Sequence, residues 1–465
     1  MPRPAAHVFA PSILREYDVR GTVGRTLHEA DAYAWGRSFA THVRRAGGGE
    51  GPWRVAVGRD GRTTSPMLEA ALVEGLAESG VDVVRIGLGP TPMLYFAEAT
   101  LEVQAGVQVT GSHNPREDNG FKMALHGAAC FGEELHRIAA LAAAGDWEQG
   151  GGNVTEAEVM GAYVDRLVAA LAPSAPDFRI GWDAGNGAAG PVVEQLVQRL
   201  PGEHHLLFTD VDGDFPNHHP DPTIEANLAD LKALVAAKRL HFGVAFDGDG
   251  DRIGAVDGEG RVVWGDQILA ILAGPVLAEE PGAPIIADVK ASNALFDRIR
   301  ALGGRAIMAP SGHSRIKARM KTEGAPLAGE MSGHIFFGQD YYGFDDALYA
   351  AVRLTRALAL SGRSLAQERD AMPPLVATPE LRFAVDPARK DAVVAEVRER
   401  LEQAGAEVVT VDGVRVSDAD GWWLLRASGT QDMLTARAEA IHEAALARLL
   451  ARLDAQLAAC GVART

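Results

Sequence analysis

The chain has 465 residues, 47% apolar and 23% charged, the balance of a soluble globular protein long enough for about three or four domains. A formal net charge of −17 argues against a protein built mainly to bind nucleic acid or an anionic membrane, although arginines and lysines that converge locally still hold anionic substrates. Two cysteines, Cys130 and Cys460, are too few for a disulfide framework. The opening Met1-Pro-Arg-Pro lacks a signal-peptide core, and no segment is apolar enough to span a membrane, so a cytoplasmic protein is expected.

In chain order, Leu14 to Gly21 reads as a surface strand or loop. A strand from Trp53 to Gly58 ends in Arg59-Asp60-Gly61 and is followed by a helical pattern from Met67 to Ala77. A second strand, Val81 to Ile86, leads into Gly87-Leu-Gly-Pro-Thr-Pro92, where proline replaces the third glycine of a dinucleotide fingerprint and excludes that reading. After a helix near Met93 to Ala99, the apolar run Ala105 to Val109 ends abruptly in Thr110-Gly-Ser-His-Asn-Pro115. Gly111 permits a sharp backbone and Pro115 blocks an early helix, which leaves the Ser112 hydroxyl in a loop at a strand end. Plain turns share this composition.

The pattern then restarts with a strand from Phe178 to Trp182, a helix from Val192 to Leu200 and a strand from His241 to Phe246. A third block has the helix Asp266 to Ala278 and the strand Pro284 to Asp288. Alternating strand and helix predict mostly parallel sheets covered on both faces. Past Met372-Pro-Pro374 the character changes to strands at Leu381, Val408 and Gly421, a helix from Asp391 to Ala404, and an amphipathic helix from about Thr435 to Leu457. The expected fold is three related α/β domains (1–155, 156–262, 263–373) with mixed or parallel sheets, plus an α+β domain (374–465), around a central cleft.

Three further loops carry chemistry. Asp247-Gly-Asp-Gly-Asp-Arg252 sets three carboxylates at alternate positions, an oxygen-ligand pattern suited to Mg²⁺ or Ca²⁺; Arg252 and Gly258 stand where an EF-hand needs glycine and glutamate, so that reading fails. Gly329-Glu-Met-Ser-Gly-His334 offers Glu330, Ser332 and His334 to sugar hydroxyls, and is equally readable as a structural turn. Arg426-Ala-Ser-Gly-Thr430 combines a guanidinium, two hydroxyls and backbone N–H groups into a phosphate cradle.

Together the four loops resemble, in order and over essentially the whole chain, those of the α-D-phosphohexomutase superfamily. Met331 and Phe344-Asp-Asp346 look most like its bacterial phosphomannomutase/phosphoglucomutase branch, whereas that branch usually has asparagine where this chain has Gly429. The resemblance implies an enzyme that moves phosphate between the 1- and 6-positions of a hexose, mannose or glucose, through a phosphorylated Ser112 and a hexose 1,6-bisphosphate. It implies one Mg²⁺ on Asp247, Asp249, Asp251 and a Ser112 phosphate oxygen. Lys122 and His334 become proton-transfer candidates, Arg20 an electrostatic partner, and Arg252 and His113 positive surroundings that a lysine base needs. Tyr17, Lys290, His313, Glu330 and Ser332 fall at substrate contacts, and Arg426, Ser428, Gly429 and Thr430 hold the non-reacting phosphate. A monomer or weak homo-oligomer acting on a small phosphosugar is expected. Phosphoglucosamine mutase is the runner-up, ahead of a phosphatase and a non-catalytic sugar-phosphate binder.

Overall fold

The computed structural model describes residues 5–48, 51–172, 176–429 and 433–463. Ala105–Val109 is buried along its length, because it lies inside a sheet with neighbours on both sides. Arg54–Arg59 runs parallel to it and Asp118–Leu125 antiparallel. That sheet continues through Asp82–Leu88 to Val154–Glu156 on one side and reaches the edge strand Val19–Thr22 on the other. A second sheet orders Val262–Val263, Ile253–Asp257, Phe242–Phe246, Arg179–Asp183 and Glu203–Leu207. The third orders Arg305–Ala309, Pro284–Asp288, Leu327–Gly329 and Ile335–Phe337. Each of these three is mixed, as expected, while every pairing in the fourth sheet is antiparallel.

All four chemical loops occupy the same topological place, the turn between two antiparallel strands. Residues 110–117 join Ala105–Val109 to Asp118–Leu125, and 247–252 join Phe242–Phe246 to Ile253–Asp257. Residues 330–334 join Leu327–Gly329 to Ile335–Phe337, and 428–432 join Gly421–Ala427 to Met433–Ala440. A strand buried on both faces is a rigid mount, so each of the first three loops inherits a fixed position at its tip.

The structure corrects the sequence reading at two places. Leu14 to Gly21 is a surface segment only in part: residues 14–18 are half-buried, whereas Val19–Thr22 is a largely buried strand carrying Arg20 inward. Residues 435–440, expected as the start of the last helix, belong to the strand Met433–Ala440, and the helix spans only Glu443–Ala459. Leu434, Ala436, Ala438 and Ala440 pack into the fourth unit's core, while Thr435, Arg437 and Glu439 face the other way. Alanines at every second position satisfy a two-residue period as well as a helical one, and the pairing with Gly421–Ala427 decides for the strand.

One hydrophobic core runs from helix Thr91–Thr100 through the second and third sheets, and the fourth unit has its own. The fourth docks on the third through Arg415. Its guanidinium donates to the carbonyls of Val289 and Ala291 and to Asn293 Oδ1, and lies 3.6 Å from the Trp422 ring centroid. Glu439 Oε1 accepts from Trp422 Nε1 and from the Asn293 N–H. Replacing Arg415 by alanine strands two buried carbonyls, at about 1–3 kcal/mol each, and removes a desolvated cation–π contact. Calorimetry of Arg415→Ala should show the fourth unit melting earlier as a separate transition; a melt superimposable on the parent's would contradict this docking account.

Candidate active site

Ser112 adopts a left-handed backbone (φ 49°), uncommon for a residue with a Cβ. The left-handed residue is thus the serine itself and not Gly111. Ser112 Oγ donates to Asp247 Oδ2 at 3.0 Å and lies 3.2 Å from His113 Nδ1, while its N–H donates to Thr110 Oγ1. The serine and aspartate loops therefore share one cleft, although their strands belong to different sheets.

Asp247, Asp249 and Asp251 are fully buried, with one oxygen of each within 4.8 Å of the others. Lys122 Nζ is bonded to Asp249 Oδ2 at 2.8 Å and to Asp251 Oδ2, and Thr91 Oγ1 donates to Asp249 Oδ2 at 2.5 Å. Asp247 Oδ1 accepts the N–H groups of Asp251 and Arg252. Asp249 Oδ1 and Asp251 Oδ1 are buried without a hydrogen-bond partner among the described residues. Burial and the charges of Asp251 and Asp249 hold the Asp247 carboxyl well above the usual range. Burial pushes Asp249 the same way, but Lys122 and Thr91 outweigh it and hold that carboxyl low. Orphaned carboxylate oxygens and an over-acidic cluster both fit a hard divalent cation.

Two expected charge roles change. Burial lowers the pKa of Lys122, yet Asp249, Asp251 and Asp247 raise it further, so the lysine is held as a cation. Its neighbours are carboxylates, opposite to what a lysine base requires. His113 is not a source of positive charge, because burial together with Arg252, Arg20 and Lys122 keeps it neutral. Arg20 is 7% exposed, paired with Asp18, and held charged against burial by Asp18 and Asp249.

His334 meets the 247–252 loop directly, in an isolated bridge with Arg252. Arg252 Nε lies 3.0 Å from His334 Nε2, and an arginine N–H only donates, so Nε2 accepts and the ring proton sits on Nδ1. Nδ1 faces Asp345 Oδ2 at 3.0 Å and Asp251 Oδ1 at 3.6 Å. Asp251, His334 and Asp345 are close enough to hold an ion, but a protonated Nδ1 has no lone pair for one. That cluster places two carboxylates beside the Nδ1 side of the ring instead.

Residues of the third and fourth sheets line the rest of the cleft. Glu330 Oε1 accepts the Gly312 N–H at 2.7 Å, at the start of helix His313–Glu323, and burial raises its pKa. The His313 ring stacks on His334 at 5.5 Å and meets Tyr17 edge-on, and burial beside Lys317 keeps it neutral. Tyr17 donates to the Ser311 carbonyl, and burial pushes its hydroxyl up to about 12. Ser332 is partly exposed. Lys290 Nζ lies 3.9 Å from both Asp288 and Glu380, in a crevice also lined by Met331, Arg426 and Arg437. Arg426 Nε donates to Asp412 Oδ2, and Ser428 is buried beside it. A Cβ on Gly429 would sit 3.7 Å from the Tyr17 hydroxyl, so the fourth loop abuts the first unit. Thr430 lies outside the described residues.

Sequence reasoning gave no role to Thr91, Asp288, Asp345 or Arg437. Thr91 stands in the stretch weighed only as a dinucleotide fingerprint. Asp288 fixes the 330–334 loop by accepting from Met331 N and Ser311 Oγ, each at 3.0 Å. Arg437 donates to the Lys290 carbonyl and touches Met331 Sδ, and two-residue alternation would have exposed it.

A serine at a carboxylate triplet, flanked by cations, is the equipment of metal-assisted phosphoryl transfer. The sequence matches all four domain models of the phosphoglucomutase/phosphomannomutase family: α/β/α domain I over residues 11–149, domain II over 161–260, domain III over 264–375 and the C-terminal domain over 380–456. It is 42% identical to a phosphomannomutase/phosphoglucomutase of Pseudomonas putida (96% of this chain, 95% of the relative) and 42% identical to a phosphoglucomutase of Neisseria gonorrhoeae (95% and 96%). A crystal structure of a phosphoglucomutase/phosphomannomutase family protein from Burkholderia thailandensis superposes with a TM-score of 0.91, at 41% identity over 98% of each chain. The chain belongs to the phosphoglucomutase/phosphomannomutase family.

The raised pKa of Asp247 means that its charged form costs the fold stability at neutral pH when no cation is present. Asp247→Asn removes that cost and one cation ligand together. In chelator its melting midpoint should rise above the parent's, while the upward shift on adding Mg²⁺ should vanish. A variant less stable in chelator, or with the parent's Mg²⁺ shift, would contradict the assignment.

Proposed function

We propose that this chain is an isomerase that moves a phosphoryl group between O1 and O6 of glucose and mannose phosphates, with Ser112 as carrier and hexose 1,6-bisphosphate as intermediate. The observation that carries this reading is the 3.0 Å contact of Ser112 Oγ with Asp247, and Lys290, Arg426 and Arg437 line a separate crevice where the third and fourth units meet. A chain divided into units 1–155, 156–262, 263–373 and 374–465 gives each one loop of the cleft. Glucose and mannose over glucosamine rest on Met331 and on the names of the relatives. Two free, buried cysteines suit a reducing cytoplasm.

Asp247, Asp249 and Asp251, with a phosphate oxygen on Ser112, would hold one Mg²⁺. When bound, it supplies two positive charges against the phosphate dianion and polarises phosphorus. The chain's own groups do the rest. A sugar hydroxyl oxygen bonds to phosphorus as the bond from phosphorus to Ser112 Oγ breaks, and Oγ leaves with that electron pair. The hydroxyl proton passes to His334 Nε2, with the ring's own proton on Nδ1, 3.0 Å from Asp345 Oδ2. Arg252 occupies Nε2 in this structure, and an incoming phosphate dianion is the stronger acceptor that draws the guanidinium away. Lys122 and Arg20 stay charged and balance the carboxylates. The bisphosphate then turns over and returns its other phosphate to Ser112.

Two measurements test this. Coupled assays should show turnover of glucose 1-phosphate and mannose 1-phosphate, with one phosphate per parent chain by intact mass and neither turnover nor phosphate in Ser112→Ala. Turnover of glucosamine 6-phosphate alone would overturn the substrate assignment, and an active Ser112→Ala the carrier. Arg426→Ala should lower kcat/KM about ten- to a hundredfold, as expected for a lost charge-assisted contact of about 1.5–3 kcal/mol. Calorimetric titration of glucose 1-phosphate giving equal dissociation constants for parent and Arg426→Ala would remove the fourth unit from substrate binding.

A further inference from the structure

Arg62, outside all four motifs, is buried beneath the serine loop with a side chain that is 0% exposed. Its Nη1 donates to the carbonyls of Pro115 (2.6 Å) and Asp118 (2.9 Å), and its Nη2 to those of Ser112 (2.8 Å) and Asn114 (2.7 Å). The remaining carbonyl in the run, that of His113, accepts from His219 Nε2 at 2.7 Å. Every carbonyl from residue 112 to 115 is therefore turned onto a side-chain donor.

The surroundings are built for this guanidinium. Asp60 Oδ2 lies 3.3 Å from Arg62 Nε and accepts the Gly111 N–H, and Phe215 lies under the guanidinium at 5.3 Å. Gly111 is glycine for space, because a Cβ there would sit 2.1 Å from Arg62 Nε. From the opposite unit, a Cβ on Gly248 would sit 2.5 Å from the Ser112 carbonyl oxygen.

We propose that Arg62 is the positioning residue of the phosphoryl carrier. It gathers the loop's carbonyl oxygens onto one buried cation, which forces Ser112 into its left-handed conformation and leaves Oγ, not a carbonyl dipole, facing Asp247. A phosphate dianion on Oγ then meets no carbonyl oxygen, whose negative end would repel it. This inference rests on Ser112 carrying the phosphate. A merely structural arginine would stabilise the chain without biasing chemistry, and the two roles separate in kinetics.

The test compares parent, Arg62→Lys and Gly111→Ala enzymes. Lysine keeps the charge but cannot span four carbonyls, and the alanine methyl pushes the guanidinium off the loop. In each variant kcat should fall about ten- to a hundredfold, the cost of a misplaced reacting atom, while KM for glucose 1-phosphate stays within about threefold. The ³¹P resonance of phosphoserine should shift or broaden in both, with the circular dichroism of a folded protein. Parent-like kcat in either folded variant would overturn the proposal, as would a loss of activity that only follows loss of folded protein. A parent without phosphate on Ser112 would instead sink the carrier reading beneath it.

Discussion

Three carboxylates held within 4.8 Å of one another at zero exposure are the constraint on which the rest depends. Isolated burial of that much like charge is prohibitive, so the cleft exists only because other parts of the chain answer it. Lys122 and Thr91 come from the first unit, the N–H groups of residues 251 and 252 from the loop itself, and His334 from the third sheet faces Asp251. Two carboxylate oxygens still lack a partner among the described residues, which defines what the cleft takes up. The site is therefore complete only where these units meet.

That dependence explains why each chemical loop is a turn between antiparallel strands. A turn at the tip of a buried strand protrudes from its sheet, and the serine and aspartate tips meet directly while His334 joins them from the third. The fourth unit binds differently. Its own core is separate, and its hold on the third passes through Arg415, Trp422, Glu439 and Arg437 to residues 289–293, the segment that carries Lys290. The crevice of Lys290 and Arg426 is formed at that contact, so its shape depends on how the fourth unit sits.

Much of this was legible in the sequence. Ala105–Val109 and Pro284–Asp288 are runs of apolar residues with sharp ends, and both strands fall where the pattern places them. The loops at strand ends follow from the same reasoning. The return strands were harder to see. Asp118–Leu125 begins Asp-Asn-Gly-Phe-Lys, polar at positions that are buried because Asn119 bonds Thr64 and Ser65 and Lys122 bonds the aspartates. Polar residues that are inside for chemistry defeat a hydrophobicity pattern. The alanine-rich strand Met433–Ala440 fits two periods at once, and its helical reading hid Arg437. Protonation was beyond the sequence altogether, since the cationic Lys122, the neutral His113 and the Nδ1–H tautomer of His334 are set by neighbours remote along the chain.

The central claim is that phosphate on Ser112 leaves for a sugar and not for water. The most direct measurement follows radiolabelled phosphate from the enzyme in a single turnover with unlabelled glucose 1-phosphate and Mg²⁺. The account predicts loss of label from the protein, its passage through glucose 1,6-bisphosphate into hexose monophosphate, and one unlabelled phosphate left on the chain. Release of the label as inorganic phosphate, or its retention on the protein while substrate turns over, would contradict it.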